Sequence, residues 1–295
     1  MKAIIILGLL SIACGQSFIN SNLHLYLRKN APYRVYDPEE NPFRDWTREE
    51  IKGLFVQNED LPPLSPTIED PVPNDLPTSF DARAEWSNCV AAIRNQENCG
   101  SCWAFAGSTS LGMRFCIATS GSTNVVLSAQ DSVACDTSNS GCNGGNRLLT
   151  WQYYQKTGIV SESCYPYTAG EGNVEACRTA CVNGETWKKY KVTNVKTLSN
   201  PTQIKNALME GGPIHTGFTV YDDFMEYSGG IYEYVSGSSL GGHAVVIVGW
   251  GVEAGTSYWI VQNSWGPEWG ENGYFRIKEG ECSFDTYAVT GTPVV

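Results

Sequence analysis

The order of apolar and polar positions divides the chain into stretches of different character. Lys2 is followed by the apolar run Ala3-Ile4-Ile5-Ile6-Leu7-Gly8-Leu9-Leu10, too short to span a bilayer. It ends in the small residues Ala13-Cys14-Gly15, so residues 1–15 read as a cleaved secretory signal. Residues 16–60 are polar and charged, with one clear helix start. There Thr47-Arg48-Glu49-Glu50 forms a capping box, and Ile51, Leu54 and Phe55 supply a short apolar face. Six prolines fall among the seventeen residues from Leu61 to Pro77, which excludes a helix or a central strand. That stretch is expected to be an extended linker open to a processing protease.

From Leu76 the pattern changes. Apolar positions over 102–117, Phe105, Leu111 and Phe115 among them, recur at helical spacing. Later runs are β-branched and aromatic and are bounded by glycine: Ala244-Val245-Val246-Ile247-Val248-Gly249-Trp250, Tyr258-Trp259-Ile260-Val261 and Tyr274-Phe275-Arg276-Ile277. They predict the strands of a sheet or small barrel. A helix-rich half followed by a strand-rich half points to an α+β fold of two lobes. After the first run no segment has the length and apolar purity of a membrane helix, and neither an internal repeat nor an N-x-S/T sequon occurs.

Composition narrows the function classes. With 42% hydrophobic and 17% charged residues among 295, the chain can bury a substantial core. A net charge of −11 without a dense Lys/Arg patch argues against a nucleic-acid partner. Eleven cysteines are present, and ten remain once Cys14 leaves with the signal, an even set that reads as a disulfide framework in an exported chain. Cys99-x-x-Cys102 and Cys177-x-x-x-Cys181 also have zinc-ligand spacing, but oxidation would consume those thiolates. A redox role for Cys99-x-x-Cys102 is disfavoured because no thioredoxin-like βαβ pattern surrounds it.

The strongest chemical signal is Gln96-Glu97-Asn98-Cys99-Gly100-Ser101-Cys102-Trp103-Ala104-Phe105. A cysteine opening a helix faces unpaired backbone N–H groups and the positive end of the dipole, both of which favour thiolate over thiol. Such a thiolate can attack a peptide carbonyl, and the Cys102 N–H with the Gln96 side-chain amide would hold the resulting oxyanion. A nucleophilic cysteine needs a histidine, and the chain has three. His24 precedes the linker and leaves with the pro-segment, and His215 reads as an ordinary polar residue near the cleft. His243, in Gly241-Gly242-His243-Ala244-Val245, lies 141 residues beyond Cys102, inside the ~130–150 spacing known for such pairs. Asn263, in Gln262-Asn263-Ser264-Trp265-Gly266, would accept the second ring N–H of His243, with Trp265 shielding that bond from water.

These motifs resemble the papain-like cysteine proteases, and specifically the cathepsin B branch, from Leu76-Pro77-Thr78-Ser79-Phe80-Asp81-Ala82-Arg83 to near Gly291. Arg114-Phe115-Cys116-Ile117, Gly141-Cys142-Asn143-Gly144-Gly145, Val220-Tyr221-Asp222-Asp223-Phe224 and Gly249-Trp250-Gly251-Val252-Glu253 carry the likeness. The resemblance implies a papain-like two-lobed fold with the site in the cleft between a helical lobe and a barrel-like lobe. It also implies an inhibitory pro-segment (16–75) lying in that cleft and a mature peptidase (76–295). It implies disulfides Cys89–Cys116, Cys99–Cys142, Cys135–Cys177 and Cys164–Cys181, with Cys102 and Cys282 reduced. Gly144, Gly145, Gly242 and Trp265 would border bound substrate, and Gly217, Ala244 and Tyr287 would line the S2 pocket. With Tyr287 where cathepsin B carries a glutamate, an apolar or aromatic P2 residue is expected.

One departure is informative. Between Cys164 and Cys181 there are sixteen residues and no histidine, whereas cathepsin B carries there an occluding loop whose histidines bind a substrate's C-terminal carboxylate. The expectation is therefore an endopeptidase, secreted or vacuolar. It needs no cofactor or metal, and its partners are protein and peptide substrates, its own pro-segment and cystatin-like inhibitors. A monomer with no membrane association is expected. A catalytically impaired binding protein and a transpeptidase on the same scaffold are the alternatives.

Overall fold

The computed structural model describes residues 17–56 and 76–295. Residues 1–15, expected to be a cleaved signal, and most of the proline-rich linker lie outside the described residues.

The pro-segment contributes α1 (Ser21–Asn30), β1 (Arg34–Val35) and α2 (Arg48–Gly53). Thr47 and Glu50 form the capping box at α2, so the backbone N–H groups of both residues find acceptors. In the mature region, β2 (Phe80–Asp81), α3 (Ala82–Glu85), α4 (Cys102–Ala118), α5 (Ala129–Cys135) and α6 (Arg147–Lys156) come first. Then follow β3 (Val192–Leu198), α7 (Pro201–Gly211), β4 (Ile214–Tyr221), β5 (Tyr227–Gly229) and β6 (Ile231–Tyr232). The chain closes with β7 (Ser239–Glu253), β8 (Thr256–Gln262), β9 (Tyr274–Lys278) and β10 (Ala288–Pro293).

The helical lobe is built around α4, which is buried from Cys102 to Cys116. A helix covered on every side needs an apolar or small residue at nearly every position, and Ala104, Phe105, Ala106, Leu111 and Phe115 meet that need. In the other lobe eight strands form one sheet, ordered β3-β10-β4-β7-β8-β9-β6, with β2 added to β7. All pairs are antiparallel except β6 with β9. Its aromatic core gathers Phe218, Phe224, Trp259, Trp265, Trp269 and Phe275.

The two lobes meet where α4 packs on β7, so the start of α4 faces the strand that carries His243. Four disulfides join Cys89 to Cys116, Cys99 to Cys142, Cys135 to Cys177 and Cys164 to Cys181, the pairing that the family resemblance implies. With its sulfur bonded to Cys142, Cys99 can be neither a zinc ligand nor a redox partner of Cys102. Cys102 and Cys282 are reduced. No helix of the described residues is long and apolar enough to cross a membrane.

The pro-segment is docked onto the sheet lobe. Strand β1 pairs antiparallel with β5, and Tyr33, Tyr36, Phe43, Ile51, Leu54 and Phe55 join that lobe's core. At the rim Arg48 makes a bidentate pair with Asp222 at 2.8–3.1 Å. Asn41 Nδ2 donates to the Met225 carbonyl at 3.0 Å, and His24 Nδ1 lies 3.1 Å from Glu226 Oε2. A histidine read from sequence only as part of a discarded segment is thus a buried docking contact.

Candidate active site

Cys102 is the first residue of α4, and the preceding Ser101 does not cap the helix with its side chain. Its hydroxyl is 2.9 Å from the Tyr167 hydroxyl instead. The positive end of α4 is therefore left directed at the cysteine, as a thiolate requires.

His243 lies on β7 opposite Phe218 of β4. Its Nε2 is 2.7 Å from Asn263 Oδ1, and the same oxygen accepts the Ser264 backbone N–H at 2.9 Å. That backbone donor fixes the orientation of the Asn263 amide, so the imidazole must donate through Nε2. In the neutral ring Nδ1 then keeps its lone pair. Among the described residues Nδ1 has no hydrogen-bond partner. Trp265 stacks on the imidazole, with centroids 4.7 Å apart and planes 27° apart. Trp265 thus covers a face of the imidazole ring.

Gln96 is fully buried and held from both sides. Ser264 Oγ donates to its Oε1 at 2.7 Å, which turns Nε2 toward the Cys99 carbonyl at 3.0 Å and the Leu54 carbonyl at 3.2 Å. Its backbone N–H donates to the Ser264 carbonyl at 2.9 Å. The loop before the nucleophile and the loop bearing Asn263 are thereby clipped together.

The pro-segment crosses this arrangement. Leu54 caps α2 in a right-handed helical conformation, and its carbonyl meets Gln96. The Phe55 ring stands edge-on to His243 at 5.6 Å and to Trp265 at 5.9 Å. Val56 and Gly242 exchange backbone hydrogen bonds of 2.9 and 2.8 Å. The Val56 side chain lies so close to Gly144, whose φ is +108°, that a Cβ there would stand 2.9 Å from Val56 Cγ2. Gly145 backs onto the Trp103 ring. Buried beneath these groups, His243 is pushed down from 6.5 to about 4, chiefly by desolvation and against the hydrogen bond to Asn263.

Gly217 and Ala244 are register partners across β4 and β7. Tyr287, buried just before β10, accepts at its carbonyl a 2.8 Å hydrogen bond from Arg147 Nη1. Arg147 was not singled out from the sequence, although it follows Gly144-Gly145-Asn146 directly. His215, expected near the cleft as an ordinary polar residue, is fully buried. Its Nδ1 accepts from Trp151 Nε1 at 3.1 Å.

Comparison with known proteins identifies the family. The sequence profile of the papain family cysteine proteases matches residues 76–292. Cathepsin B-like cysteine proteinase 4 of Caenorhabditis elegans is 39% identical over 291 residues, covering 85% of this chain and 87% of the relative. A cathepsin B-like protein of Giardia intestinalis is 41% identical over 221 residues, 73% of this chain and 74% of its own. Among solved structures, procathepsin B from Trypanosoma congolense superposes with a TM-score of 0.85 at 29% identity, over 95% of this chain and all (100%) of that one. The proform of a ragweed pollen cysteine protease allergen superposes with a TM-score of 0.78 at 28% identity, over 92% and 84% of the two chains. This chain belongs to the papain family of cysteine proteases and is cathepsin B-like.

Proposed function

We propose that this protein is an endopeptidase made as a zymogen, in which Cys102 is the nucleophile and His243 the acid and base. Cys102 Sγ attacks the scissile carbonyl while its proton passes to His243 Nδ1. The tetrahedral oxyanion is held by the Cys102 N–H and Gln96 Nε2, and the C–N bond breaks as His243 returns the proton to the leaving amine. Water then adds to the thioester, releasing the new carboxyl end and restoring the thiol. Asn263 keeps the imidazole in the tautomer this cycle needs. The pocket of Gly217, Ala244 and Tyr287 receives an apolar or aromatic P2 side chain.

The observation that carries this reading is the 3.2 Å hydrogen bond from Gln96 Nε2 to the Leu54 carbonyl. The donor proposed for the oxyanion already holds a carbonyl, but one belonging to a helix end and not to an extended substrate strand. In this reading the pro-segment is the inhibitor, its cleavage before Leu76 opens the cleft, and the four disulfides suit an oxidising secretory route to a vacuole or the exterior.

Internal cleavage is favoured by the sixteen histidine-free residues between Cys164 and Cys181. That segment is anchored behind the nucleophile loop, where Tyr167 Oη donates to the Gln96 carbonyl at 2.8 Å and Asn98 N to the Gly170 carbonyl at 2.8 Å. The test is hydrolysis of an internally quenched peptide blocked at both ends by the activated protein and by Cys102→Ala. Cleavage of the blocked peptide that vanishes in the variant is expected. Retained activity in Cys102→Ala, or release of C-terminal dipeptides alone from unblocked substrate, refutes it.

A further inference from the structure

Beside Gly217 and Tyr287, two residues expected to line S2, stands a charged side chain that family resemblance did not supply. Arg147 and Trp151 stand one turn apart on α6, and Gly217 and His215 stand two apart on β4, so each pair shares a face. Trp151 meets His215 through the 3.1 Å hydrogen bond, and Arg147 meets Gly217 one rung along. A Cβ at Gly217 would lie 2.8 Å from Arg147 Nη1 and 3.1 Å from its Cζ. The missing side chain is the space the guanidinium fills.

The position of the arginine head is closely determined. Nη1 donates to the Tyr287 carbonyl at 2.8 Å, and Cζ lies 5.2 Å over the Tyr287 ring. Ala244, across the register from Gly217, completes the wall. With the pro-segment in the cleft Arg147 is only 4% exposed. His215, the next titratable group inward, is held neutral by burial and by the Arg147 charge, so it adds no second cation.

We propose that Arg147 adds to the apolar S2 pocket a receptor for a P2 carboxylate, so that glutamate is taken ahead of its neutral isostere glutamine, its methylene stem on the Tyr287 ring and its carboxylate on the guanidinium. The planar fork of donors matches a carboxylate in a way that a point charge does not. Apolar P2 residues still fit against Tyr287 and Ala244. Charge selectivity is the added property, and its sign is opposite to that of an S2 pocket based on glutamate. The inference rests on the protease reading above.

The test uses the full-length protein after removal of its pro-segment, with fluorogenic peptides that differ only at P2: Glu, Gln and Leu. Glutamine has the shape of glutamate without the charge. We expect kcat/KM for P2 Glu to exceed that for P2 Gln about tenfold, the worth of one charge-assisted hydrogen bond. In Arg147→Gln the Glu/Gln ratio falls to about one. The ratio is taken within one enzyme, so it does not depend on how much activity the substitution costs. If that variant does not fold, the wild-type ratio decides. A wild-type ratio of one or below, or a ratio that persists in Arg147→Gln, overturns the proposal. Hydrolysis of the Leu substrate then leaves the protease reading standing, whereas hydrolysis of none of the three overturns both.

Discussion

Replacing Phe55 by alanine removes the pro-segment side chain that lies against both His243 and Trp265. The ring is 3% exposed and makes edge contacts at 5.6 and 5.9 Å. Truncating a buried Phe to Ala costs about 3–5 kcal/mol in a closed core. The value here is at the low end, because the gap left behind opens to the cleft and water can enter it. About 3 kcal/mol taken from the docked state alone raises the population with an open cleft somewhat over a hundredfold. The assay is the rate at which a small alkylating reagent labels Cys102 in the intact precursor, read by peptide mass mapping. Cys282 provides an internal reference, since burial pushes its thiol up to about 12 and it is half-buried against the sheet-lobe core. Labelling of Cys102 should rise about two orders of magnitude with Cys282 unchanged. An unchanged Cys102 rate would falsify the assignment of Phe55 as the plug. An equal rise at both cysteines would show general loosening of the fold and refute it as well.

The pro-segment should also bind less tightly in acid. His243 is held at about 4 in the docked state, below its ordinary 6.5, so docking excludes the protonated ring. Affinity of the separated pro-segment for the mature enzyme is therefore full above pH 6.5 and falls toward pH 4, by at most roughly 3 kcal/mol; a flat or inverted inhibition profile contradicts this. Gln96→Ala removes the side-chain oxyanion donor and should lower kcat about 10²–10³-fold with KM little changed. Asn263→Ala frees the imidazole to rotate and take the other tautomer, so kcat should fall about tenfold to a hundredfold with a changed pH profile. An unaltered profile there argues that Trp265 alone orients His243.

Several parts of the site were legible because their determinants are local. The helix that begins at Cys102 and the capping box at Thr47 depend on neighbours within one turn, and both stand in the structure where the sequence places them. The runs containing His243 and Asn263 are specific motifs whose strand and turn character is written in a few consecutive residues. The burial of His215 was not legible, because a histidine after Gly212-Pro213 carries no local sign of it. Only the alternation of β4 against α6 puts it under Trp151.

Sequence alone therefore pointed to Cys102 as nucleophile with His243 and Asn263, to an export signal and to a two-part chain, since each reading rests on short-range spacing or composition. Tertiary structure decided what meets what across long separations. The β4–β7 register joins Gly217 to Ala244, α6 brings Arg147 against Gly217, and docking sets the Leu54 carbonyl on Gln96. Such meetings follow from strand register and helix packing, which arise only when distant segments bury their apolar faces together.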